Sequence, residues 1–99
     1  MRVEFEFYAT LRDAVGEGHL VREVHEDATV GEALTVVSEE FPALRSLLFD
    51  GEGRIRPHVN VLRNGDPVYA LAGAATPLSA GDRVGAAPSV AGGSRGVCA

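Results

Sequence analysis

Among its 99 residues the chain has no lysine, and it has a single cysteine, Cys98. All nine cationic residues are arginine. Without lysine no side-chain amine is on offer for acylation, and only the amino group of Met1 is left. Arginine used throughout fits a GC-rich prokaryotic genome. One cysteine excludes an intrachain disulfide, and the three histidines, His19, His25 and His58, have no zinc-site spacing. No apolar run is long enough to span a bilayer, and the opening "MRVEFEFYAT" has neither the signal-peptide nor the transit-peptide pattern. The expectation is a soluble, cytoplasmic chain with no membrane partner. Its net charge is −5 and its arginines are scattered, which argues against nucleic acid, whose phosphates need a basic face. Such a balance favours a protein partner with a basic docking surface.

What is present is ordinary: 45% hydrophobic and 23% charged residues, enough to build one core without metal or disulfides. Residues 2–8, "RVEFEFY", alternate Val3, Phe5 and Phe7 against Arg2, Glu4, Glu6 and Tyr8, the signature of a half-buried strand. "ATLRDAVGEG" has room for one short helical turn before Gly16 and Gly18. "HLVREVH" reads as a second strand, antiparallel to the first.

The strongest helix signal is "DATVGEALTVVSEEF". Thr29 and Glu32 form a capping box, and Val30, Ala33, Leu34, Val37 and Phe41 make one apolar stripe. Glu32, Ser38, Glu39 and Glu40 fall off that stripe, and Pro42 ends the helix. "ALRSLLF" adds one or two turns, and "DGEGRI" a glycine-rich loop. "HVNVLRNGDPVYAL" is a strand, a two-residue Asn64-Gly65 turn and a strand, with Val59 and Val61 facing the core and His58, Asn60 and Leu62 opposite. A turn at Gly81-Asp82 leads into a last strand from Arg83. That strand's pairing should finish near Ala87, because Pro88 cannot donate to a ladder. The order predicts a two-layer α+β domain over residues 1–90, a mixed sheet of four or five strands with one main helix on one face. Residues 91–99 are expected to form a flexible tail. This order suits a β-grasp.

"DATVGEAL", "PHVNVLRNG", the "SAGDRV" turn and the final "VAGG" together resemble the ubiquitin-like sulfur-carrier family. That family includes the small subunit of molybdopterin synthase, the thiamine sulfur carrier and the small archaeal modifier proteins. The resemblance runs from about Arg2 to Gly93 and implies a β-grasp fold. It also implies that the working group is the C-terminal glycine carboxylate, here Gly93, with Gly92, Ala91 and Val90 threading into a partner. A ubiquitin-activating-type enzyme would use ATP and Mg²⁺ to make the acyl-adenylate, and a sulfur donor would convert it to a thiocarboxylate. The chain itself would bind no cofactor and would not be an enzyme, though it could be a subunit of molybdopterin synthase. The sulfur would go to molybdopterin, through the synthase large subunit, or to tRNA. In the archaeal modifiers the activated glycine is also joined to lysines of target proteins. Residues 94–99, "SRGVCA", then read as a propeptide, and Gly93 becomes a terminus only after cleavage of the Gly93–Ser94 bond, by a metalloprotease as in some relatives.

Three readings stay open on sequence: a sulfur carrier, a protein modifier conjugated through Gly93, and a β-grasp interaction module with a vestigial glycine pair. The approach to the tail departs from the family, since Ala86 and Ala87 are small, Ser89 stands where a proline is usual, and Gly85 weakens the last strand. Elsewhere no catalytic constellation emerges. Glu39-Glu40 and Glu26-Asp27 read as solvated carboxylates, Ser94 lacks a His or Asp partner, nothing near Cys98 would lower its pKa, and "GEGHL" and "GEGRI" lack the lysine of a phosphate loop.

Overall fold

A computed structural model describes residues 1–88. The alternation of the first segment produces strand β1, Arg2–Phe7, with Val3, Phe5 and Phe7 buried and their neighbours turned outward. Helix α1, Ala9–Val15, follows at once. It has two turns where one was expected, because Leu11 and Val15 lie one helical turn apart and both enter the core. Gly16 closes it in the left-handed region at φ +89°, where a residue with a Cβ is strained.

Strand β2, His19–Glu23, runs antiparallel to β1 with Leu20 opposite Phe5. Helix α2, Val30–Glu40, starts at the capping box: the Thr29 hydroxyl accepts from the Glu32 N–H at 3.3 Å, and the Glu32 carboxylate accepts from the Thr29 N–H at 2.9 Å. Val30, Ala33, Leu34 and Val37 are buried on its core face, and Phe41 is partly buried beyond its end. Ser38 corrects the expected polar face, because it is buried with them. Its hydroxyl donates to the Thr35 carbonyl at 2.9 Å, which satisfies it inside the helix and lets it pack as a small residue. Pro42 ends α2 and opens α3, Pro42–Leu48, which buries Leu44 and Leu48.

Strand β3, Val59–Arg63, turns through Asn64 (φ +51°) and Gly65 (φ +89°) into β4, Asp66–Pro67. The hairpin is where it was expected, but its second strand has only two residues. Past Pro67 the chain coils into two 3₁₀ turns, Val68–Ala70 and Gly73–Ala75, and only Val68 of the "VYAL" stretch reaches the core. Strand β5, Arg83–Pro88, then inserts between β1 and β3, parallel to the first and antiparallel to the second. The sheet order is β2-β1-β5-β3-β4. With α2 and α3 packed on the face that carries Phe5 and Val84, this is the ubiquitin-like β-grasp.

Pairing runs one residue farther than expected, with Pro88 opposite Val59. The reason lies in the pleat. Asn64 donates to the Arg83 carbonyl, so the odd residues of β5 bond to β3 and the even ones face β1. The missing N–H of Pro88 therefore points to the side where β1 has already ended, and no ladder bond is lost. Among the described residues no helix is long and apolar enough to cross a membrane.

Candidate functional site at the root of the C-terminal segment

The residues expected to carry the chemistry, Val90, Ala91, Gly92 and Gly93, and Ser94 at the expected cleavage site, lie outside the described residues, as does Cys98. The structure fixes the strand that leads to them. β5 is the middle strand of five. Val84 and Ala86, opposite Phe5 and Phe7 in the register with β1, are buried in the core. The Tyr8 N–H donates to the Ala86 carbonyl at 3.2 Å, so β5 is still held on its β1 side as it ends. On its other side Val59 lies opposite Pro88. A strand paired along both edges cannot peel away without breaking two ladders, so the chain leaves from a fixed point. Gly93 is five residues farther on.

The start of β5 is anchored by a buried carboxylate. Asp82 accepts from Arg63 Nε at 3.1 Å, from Asn64 Nδ2 at 3.0 Å and from the Ser79 N–H at 2.8 Å. Asn64 returns the connection, its Oδ1 accepting from the Arg83 N–H at 2.9 Å. Burial pushes the Asp82 carboxyl up, but the Asn64 amide, the Ser79 N–H and Arg63 together outweigh it and hold the group below the ordinary aspartate range. This network escaped sequence reasoning. Both Asn64-Gly65 and Gly81-Asp82 are legible as turns, but which turn side chains meet depends on strands β3 and β5 lying side by side.

The outer face of the sheet, away from the helices, is laced with charge. His19 Nε2 lies 3.0 Å from Glu4 Oε1, the Arg83 guanidinium 3.7 Å from the same carboxylate, and Tyr8 donates to Glu6 at 3.2 Å. The His19 hydrogen bond, helped by Arg83, holds the Glu4 carboxyl below its usual value, while the negative Glu6 pushes the Tyr8 phenol up. Gly85 interrupts this lattice. Having no side chain, it leaves a depression of about 490 Å³ bordered by Glu6, Tyr8, Leu62 and Arg83. Next along β5 on that face comes Ala87, so small residues line the way to the tail.

The remaining candidates are dispersed. His25 sits 3.5 Å from Glu32, His58 is exposed, and Glu40 is engaged by Arg22. Among the described residues no three His, Cys, Asp or Glu side chains converge as metal donors.

Comparison with known proteins agrees with this geometry. The model of the ThiS family matches residues 5–93. Small archaeal modifier protein 3 of Haloferax volcanii is 44% identical over 93 residues, covering 94% of this chain and all of that protein. The crystal structure of SAMP1 from Haloferax volcanii superposes with a TM-score of 0.83 at 35% identity, over 94% of this chain and 100% of that one. The structure of the Amycolatopsis orientalis BexX/CysO complex contains a chain similar at a TM-score of 0.75 and 26% identity, over 92% of this chain and 99% of that one. A match that reaches from the first strand to the glycine pair is a family relationship, and the chain belongs to the ThiS family of ubiquitin-like sulfur carriers and modifiers.

Proposed function

We propose that this chain is a sulfur carrier whose reactive group is the carboxylate of Gly93, uncovered by removal of residues 94–99. A partner activating enzyme holds ATP and Mg²⁺. The Gly93 carboxylate attacks the α-phosphorus, pyrophosphate leaves, and the carbonyl carbon now bears AMP as a good leaving group. Sulfide (HS⁻) from a donor then attacks that carbonyl carbon and loses its proton, AMP departs with one of the original carboxylate oxygens, and the terminus is a thiocarboxylate. From there the sulfur passes to molybdopterin at the synthase large subunit, or to tRNA.

The observation that carries this reading is that the family match ends at Gly93 and leaves the six residues after it unmatched. The fixed end of β5 adds to it. Five extended residues reach at most about 17 Å, enough to carry a terminus into a partner's cleft while the folded domain stays on the partner's surface. Glycines at the tip let the backbone pass where a Cβ would collide. Trimming by a metalloprotease supplies the free carboxylate.

The names of the relatives favour a second outcome for the same activated glycine, transfer to a lysine amine of a target protein. Both outcomes begin with adenylation, so one assay tests their common step. ATP–pyrophosphate exchange with the partner activating enzyme is expected for residues 1–93 and not for residues 1–99. Exchange by neither chain, in an assay where a cognate carrier is active, would leave only a β-grasp interaction module.

A further inference from the structure

We draw no further inference here: the strongest candidate, the outer-face depression at Gly85 bordered by Glu6, Tyr8, Leu62 and Arg83, carries nothing, because Glu6 is already engaged by Tyr8 and Arg83 and nothing in the structure shows what covers it.

Discussion

The Asn64 side-chain amide donates to Asp82 at 3.0 Å, joining the turn between β3 and β4 to the turn that starts β5. Through this bond, and the Arg63 and Ser79 bonds to the same carboxylate, the strand that presents the C-terminal segment is pinned at its beginning. Asp82 is buried, whereas Arg63 is half-buried and Asn64 and Ser79 are exposed, so removing the carboxylate loses charge-assisted bonds that water replaces only in part. Asp82→Ala should therefore cost about 1–3 kcal/mol of folding stability, measured as a lower urea midpoint at neutral pH. An unchanged midpoint would mean the network is incidental.

Acid should act in the same direction. The carboxyls of Asp82, Glu4, Glu32, Glu40 and Asp50 are all held below their ordinary values in the folded chain. A carboxyl with a depressed folded pKa contributes stability that is complete above its unfolded pKa, about 4. That contribution disappears as pH falls through the folded value. The urea midpoint should be flat from pH 7 to pH 5 and fall below pH 4. A midpoint that rises on acidification contradicts this assignment.

Two glycines should respond oppositely to alanine. Gly85 lies in a regular strand conformation, and an added Cβ would meet Leu62 at 3.9 Å, an ordinary contact. Gly85→Ala should raise stability by about 0.5–1 kcal/mol while partly filling the outer depression. Gly65 sits at φ +89°, so Gly65→Ala should lower stability by about 1 kcal/mol or more. Thermal melts of both variants decide the point, and a shift of the same sign in both would contradict it.

The lack of lysine limits conjugation. If Gly93 is joined to target lysines, this chain can be the donor but offers no lysine as the acceptor. A conjugation reaction containing this chain as the only protein substrate should give no lysine-linked oligomer on a denaturing gel. Branched peptides carrying the chain's own sequence on both arms would refute the claim.

Much of the fold was legible because local signals agreed with tertiary packing. The alternation in β1, the Thr29–Glu32 capping box and the Asn64-Gly65 turn each name a conformation that the structure adopts. The misreadings arise where local pattern and packing part. Ser38 looks like a surface residue until its hydroxyl bonds within the helix. "VYAL" looks like a strand, but after Pro67 the chain coils instead and leaves Tyr69 outside. The second turn of α1 was readable from Leu11 and Val15 one helical turn apart. The Asp82 network was not, since it depends on which strands become neighbours. For the proposed reactive terminus the reverse holds: it is read from the glycine pair and the family resemblance, and Gly93 lies outside the described residues.

The central claim is that Gly93 becomes the terminus and takes up sulfur. The most direct measurement is the intact mass of the protein recovered from its own cells without reductant. The account predicts a chain that has lost Ser94 to Ala99, with one oxygen replaced by sulfur at Gly93. A mass that always corresponds to the chain ending at Ala99, with no trimmed or conjugated form under any growth condition, would contradict it.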